Sequence, residues 1–195
     1  MLPIIFIFQQ AIITYPMQPD GVKVTTEILI RAAMLFALFG MVLVAYLARF
    51  IEPELFLLLK WKVTIVAAAF WFVIWLVMVI FFWEPVYHYV FSSVLRWFIP
   101  PLMAAFFALA GLFIWWAASH FTGHPVLSFC LLGGLSGIIT HIWAIARGIL
   151  EKPPMLQGVS PLAASIMPFF EFVLYWCIIL GVAYAWQKRK TTETN

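Results

Sequence analysis

The sequence predicts an all-helical integral membrane protein, built as a bundle of five transmembrane helices. Two observations lead to this class. First, 66% of the 195 residues are hydrophobic and 10% are charged, whereas soluble domains carry about 25% charged residues. Second, the apolar residues gather in five long runs, each long enough to supply the roughly 20 residues that a helix needs to cross a bilayer. Since unpaired backbone groups are not tolerated in lipid, each run is expected to be helical.

The runs predict spans at 28–47, 55–83, 101–119, 126–146 and 162–186. Thr25 or Thr26 is a candidate cap for the first span. The second run is long enough to cross the bilayer with tilt, and Lys60 and Lys62 near its start can extend to the headgroups. Because the spans occupy most of the chain, we expect a single domain over 1–195 without a soluble catalytic module.

The connections between the spans carry the remaining polar residues. The stretch 84–96 mixes polar and aromatic side chains, which predicts a short interfacial helix between the second and third spans. A tight loop with Gly123 and Pro125 joins the third span to the fourth, and these are ordinary turn residues. A proline-rich loop, 150–161, precedes the fifth span.

The distribution of basic residues favours one orientation in the membrane. Six of them fall at one side of the predicted spans, namely Arg49, Lys60, Lys62, Lys188, Arg189 and Lys190. Five fall at the other side, namely Lys23, Arg31, Arg96, Arg147 and Lys152. The positive-inside rule then favours an outside N-terminus and a cytoplasmic C-terminus. The short loops and this charge bias are typical of a prokaryotic inner membrane.

Alternating spans bring several ionisable residues to the outer side, namely Arg31, Glu84, His88, Arg96, His141, Arg147 and Glu171. Glu171 lies about nine residues into the fifth span, hence more than roughly 10 Å deep. A carboxylate at such depth costs about 2–3 kcal/mol on insertion scales. Either it belongs to a proton-relay, quinone or metal site, or it forms a structural bridge to Arg31, Arg147 or His141. Tyr175 follows one turn later and is expected to share its face.

His141 lies on a stripe of small residues in the fourth span, formed by Gly133, Gly137, Ala144 and Gly148. The Gly-x-x-x-Gly pattern is typical of closely packed membrane helices. We therefore expect His141 to face another helix, either as a hydrogen-bonding group or as a ligand of haem iron or a metal.

His88 is also expected on the outer side of the membrane, and it is the histidine that could join His141 in such a site. Glu84 lies at i, i+4 from His88, so both would face one site if that stretch is helical. The candidate metal set is therefore His88, His141 and Glu84, which suits a borderline transition metal.

The run Gly134-Leu135-Ser136-Gly137 is similar to the G-x-S-G of rhomboid intramembrane proteases, in which the serine pairs with a histidine on a later helix. The fifth span carries no histidine. Without such a base the serine is not activated, so a packing role is favoured. Cys130 and Cys177 each lie in apolar runs without a C-x-x-C pattern. They are interpreted as small buried hydrophobic residues rather than a disulfide or metal site.

These observations favour a small membrane subunit of a larger, respiratory or redox-linked complex, more non-catalytic or electron-transfer-associated than an enzyme by itself. Other membrane subunits and lipids are the expected partners, and nucleic acid is not. The alternatives are a self-contained haem- or metal-binding protein and a small oligomeric proton- or cation-coupled transporter. Haem b, a transition metal or quinone are the candidate cofactors, and the candidate binding residues are His88, His141, Glu171, Arg31 and Tyr175.

Overall fold

The computed structural model describes residues 26–81, 95–121, 123–146 and 161–193. In these ranges all regular secondary structure is helical: α1 (Thr26–Phe50), α2 (Pro53–Leu58), α3 (Lys60–Phe81), a 3-10 turn (Leu95–Phe98), α4 (Ile99–Ser119), α5 (Pro125–Ala146) and α6 (Pro161–Glu193). The helices α1, α3, α4, α5 and α6 are long and apolar enough to cross a membrane. The predicted all-helical class with five such helices is therefore confirmed.

The second predicted span differs from the structure at its start, because two helices replace one continuous run. Pro53 opens α2, a position that suits proline because its missing N–H would have no partner there. The N–H of Leu59 then bonds to the carbonyl of Phe56 at 3.1 Å, and the N–H of Val63 bonds to Leu59 at 2.8 Å. A tight turn at Leu59 thus separates the short α2 from the spanning α3.

Residues 84–94 of the predicted interfacial helix, which was expected over 84–96, lie outside the described residues. From Leu95 the chain forms the 3-10 turn that leads into α4. The guanidinium of Arg96 lies 5.3 Å from the ring centroid of Trp97 there. Thr25 and the proline-rich loop before Pro161 also lie outside the described residues.

α6 is the central helix of the bundle. It packs against α1, α3 and α5, and 56% of its span is buried, against 17% of the span in α1. Trp176, at the middle of α6, has no exposed surface. On the neighbouring pair of helices, Trp71 of α3 stacks on Phe107 of α4 with ring centroids 3.8 Å apart. Side chains on α6 therefore meet most of the other helices.

Three glycines allow α5 to lie close against α6. A Cβ on Gly134 would lie 2.6 Å from the ring of Phe169, and one on Gly137 would lie 2.7 Å from the carbonyl oxygen of Pro168. A Cβ on Gly133 would overlap the Trp176 indole. These gaps are shorter than real side chains tolerate, so the predicted close packing through Gly133-x-x-x-Gly137 is confirmed.

Two contacts between lysines and tryptophan rings show which helix termini meet at one end of the bundle. At one end, the ammonium of Lys60 lies 5.7 Å from the Trp115 ring and that of Lys62 lies 5.7 Å from the Trp186 ring. These contacts bring the start of α3 to the end of α4 and to the end of α6. Because successive spans alternate, the opposite end holds the start of α6 and the end of α5. The candidate site lies toward that opposite end.

Candidate functional site

The candidate site is centred on Glu171, which lies within the apolar span Ile166–Arg189 of α6. Its side chain is half-buried. The carboxylate accepts a hydrogen bond from the hydroxyl of Tyr175, one turn further along the helix. The prediction that Tyr175 shares a face with Glu171 is confirmed, and the pair brings an acid and a hydroxyl donor together inside the span.

Aromatic rings surround Tyr175 and fix its position. Its ring centroid lies 5.4 Å from that of Phe70, 5.5 Å from that of Trp71 and 5.9 Å from that of Phe172. The residue as a whole is 6% exposed. A phenol held in this way has little rotational freedom, so its hydroxyl remains directed at the carboxylate of Glu171.

His141 approaches the pair from α5. Its Nδ1 lies 2.8 Å from the carbonyl oxygen of Gly137, one turn earlier. Since a carbonyl oxygen only accepts, Nδ1 carries the proton in this bond, and Nε2 is the acceptor of the neutral ring. The imidazole meets the ring of Phe172 edge-on at 5.7 Å, which confirms that it faces another helix.

Trp71 adds a polar group that the sequence did not reveal. It is 3% exposed, and its indole N–H has no hydrogen-bond partner among the described residues. The ring stands at 87° to that of Tyr175. An unsatisfied buried donor costs about 1–3 kcal/mol. In the sequence this residue is one tryptophan among many in an apolar run, so nothing distinguished it.

The other predicted ligands are Arg31, Glu84, His88 and Arg147. Arg31 is exposed on α1. Glu84, His88 and Arg147 lie outside the described residues, so the candidate set of His88, His141 and Glu84 stays a prediction. Within the described ranges, no group of three or more His, Cys, Asp or Glu side chains is placed to hold a metal ion.

Ser136 takes a packing role between α5 and α6. Its hydroxyl donates to the carbonyl of Gly133 at 2.6 Å and accepts from the indole Nε1 of Trp176 at 3.3 Å. The hydroxyl thus supplies the acceptor that a fully buried tryptophan N–H needs. Ser136 therefore contributes to the packing of α5 against α6, which is the role that the sequence favoured.

Cys130 and Cys177 form a contact that was not foreseen. Both are fully buried, as the sequence predicted, but their sulfurs lie only 3.3 Å apart across the interface between α5 and α6. Two cysteines separated by 47 positions on different helices leave no local spacing signal. Only the rotation of each helix about its axis brings them together.

No function is carried over from relatives, because comparisons of this chain with protein-family models, curated proteins and solved structures find no match.

Proposed function

We propose that this protein is a proton-binding subunit of a larger membrane assembly. Glu171 is the group that takes up and releases the proton, and Tyr175 and His141 are its immediate partners. The observation that carries the proposal is the hydrogen bond between Glu171 and Tyr175, with His141 packed against Phe172, the residue that follows Glu171. All three lie in helices that are apolar enough to cross a membrane.

The chemistry of the three groups supports proton exchange. A carboxylate accepts the phenol hydrogen bond when ionised, and the carboxylic acid can donate a hydrogen bond when protonated. An imidazole with Nδ1 bound to a carbonyl retains Nε2 as a second proton acceptor. Ionisable residues inside spans are rare and commonly mark proton or ion pathways. The polar pair of Glu171 and His141 therefore provides two acceptors for one proton within the bundle.

The exposed surface of α1 supports membership in an assembly. Several large apolar side chains of this helix are more than half exposed, namely Met34, Leu35, Leu38, Phe39, Met41, Val42 and Tyr46. They lie on more than one side of the helix, and only 17% of its span is buried. Lipid or another membrane subunit must cover this surface. Stable co-purification of other chains after mild extraction would support a subunit, whereas a homogeneous single chain would oppose it.

For orientation we propose that the protein resides in a prokaryotic inner membrane with its C-terminus in the cytoplasm. The end of the bundle that holds Arg49, Lys60, Lys62, Lys188 and Arg189 would then face inward, as the positive-inside rule favours. A green fluorescent protein fused at the C-terminus should fluoresce. Alkaline phosphatase fused at the same place should be inactive, and the reverse pattern would oppose this orientation.

Infrared difference spectroscopy across a pH step tests the proton site directly. The native protein should show a carboxylic-acid C=O band that changes with pH and is lost in Glu171→Gln. The matched control is Glu54→Gln, because Glu54 is exposed at the start of α2. An identical difference spectrum in native protein and Glu171→Gln would contradict the proposal.

A reduced-minus-oxidised visible spectrum of gently extracted protein separates this proposal from a haem site. The proton-binding proposal expects the spectrum to be unaffected by His141→Ala. A haem b band that disappears in this variant would replace the proposal with a redox centre. For the transporter alternative, proton flux in liposomes that depends on Glu171 without any partner chain would be the distinguishing result.

A further inference from the structure

A half-open apolar groove of about 480 Å³ lies between α1, α5 and α6. Its walls include Ala37 and Ala45 of α1, Val126 and Cys130 of α5, and Phe169 and Val173 of α6. His124, which directly precedes α5, is also part of the lining and is exposed. The volume falls in the range of about 300–1,000 Å³ that small-molecule sites occupy. An apolar molecule from the lipid phase with one polar end fits this lining.

Cys130 connects the groove to a second thiol. It forms part of the inner wall of the groove, and its sulfur lies 3.3 Å from that of Cys177. Neither side chain has exposed surface, so water-soluble reagents have no direct access to the thiols. Of the two thiols, Cys130 is the one that lies at the groove, and Cys177 lies behind it.

We propose that Cys130 and Cys177 are a redox-active dithiol, oxidised to a disulfide by a lipid-soluble quinone that binds in this groove. Both S–H bonds break and one S–S bond forms. The two electrons and two protons pass to the quinone, whose two carbonyl groups become the hydroxyls of a hydroquinone. The dithiol is oxidised and the quinone is reduced, and no further reactant is required.

Because α5 packs closely on α6, formation of the disulfide requires only a small movement of the two sulfurs. A disulfide has an S–S length of about 2.05 Å, so the sulfurs must approach by a little over 1 Å. Gly133 already brings the backbones of the two helices together near this point. The resulting bond would fix α5 to α6, the same two helices that hold His141 and Glu171.

Thiol counting by mass spectrometry tests the proposal. Protein in lipid nanodiscs is exposed to decylubiquinone, denatured in detergent and alkylated with N-ethylmaleimide. Untreated protein should take up two maleimides and quinone-treated protein none, with dithiothreitol restoring both. Oxidised glutathione, which is too polar for the groove, should leave both thiols reactive. Cys130→Ala and Cys177→Ala should each take up one maleimide before and after the quinone.

A groove-filling variant tests the role of the groove. Ala45→Phe should slow the oxidation by decylubiquinone several-fold, because Ala45 lines the groove. The matched control is Ala69→Phe, since Ala69 is exposed on α3 and is not part of the groove wall; its rate should equal that of the native protein. Thiols that stay fully reactive after the quinone, or an oxidation rate unchanged by Ala45→Phe, would overturn the proposal. Neither result bears on the proton site at Glu171.

Discussion

The indole of Trp176 on α6 lies directly over Gly133 on α5, and a Cβ at position 133 would collide with Cβ, Cγ and Cδ1 of the tryptophan. Trp176 has no exposed surface, and the ring of Phe129 stands at 90° to its ring with the centroids 5.6 Å apart. The indole therefore cannot move aside without disturbing the centre of the bundle. This contact sets the distance between the two helices that carry the candidate proton site.

We expect Gly133→Ala to destabilise the protein by at least about 1–3 kcal/mol, the usual cost of overpacking a core. Thermal unfolding in detergent, followed by circular dichroism, measures the change. Gly181→Ala is the matched control, because the nearest atom to its Cβ would be Leu47 Cδ2 at an ordinary 3.6 Å. The control should be neutral or up to about 1 kcal/mol more stable, since alanine favours helix. Equal effects of the two substitutions would contradict this account.

Ser136→Ala should lower stability by about 1–3 kcal/mol, because the buried indole N–H of Trp176 loses its acceptor. The same unfolding measurement applies. For comparison, Ser119→Ala removes a hydroxyl that bonds the carbonyl of Trp116 at the exposed end of α4, and it should change stability by less than about 0.5 kcal/mol. An equal loss of stability in the two variants would show that the hydrogen bond from Trp176 to Ser136 does not stabilise the protein.

Trp115→Phe should weaken the attachment of α2 to the bundle. The indole Nε1 of Trp115 donates to the carbonyl of Phe56 at 3.1 Å in a buried setting, and this bond joins α4 to α2. Its loss should cost about 1 kcal/mol and speed hydrogen exchange at Leu59, whose N–H bonds the same carbonyl. The neighbouring Trp116 is 53% exposed, so exchange in Trp116→Phe should match the native protein. Unchanged exchange in Trp115→Phe would count against the link.

Tyr175→Phe should remove the hydrogen bond to Glu171 while the ring keeps its aromatic contacts. We expect a loss of about 1–3 kcal/mol, because the half-buried carboxyl group loses its hydrogen-bond donor, and a shift of the Glu171 carboxylic-acid band in the infrared. The exposed Tyr46, whose ring packs on Phe50 at 4.8 Å, provides the control Tyr46→Phe with neither effect. A native band position in Tyr175→Phe would show that the phenol does not act on the proton site.

Sequence reasoning located part of the candidate site for a clear physical reason. Glu171 stood out because a carboxylate is costly in an apolar run, and Tyr175 followed from the rise of one helical turn. The glycine stripe placed His141 against another helix, where Phe172 meets it. Trp71 could not be identified in this way, because nothing in the sequence distinguishes a tryptophan whose indole N–H has no partner in the described part of the chain from any other aromatic residue.

The sequence by itself determined that the chain is helical, that five helices are long enough to span a membrane, and roughly where they lie. These properties depend on local length and hydrophobicity. The tertiary structure decided the turn at Leu59, the contact between Cys130 and Cys177, and the position of Trp71 beside Tyr175. Each depends on how the helices rotate and pair. In a chain that is apolar on every face, the pattern that marks the buried side of a soluble helix is absent, so only packing fixes those rotations.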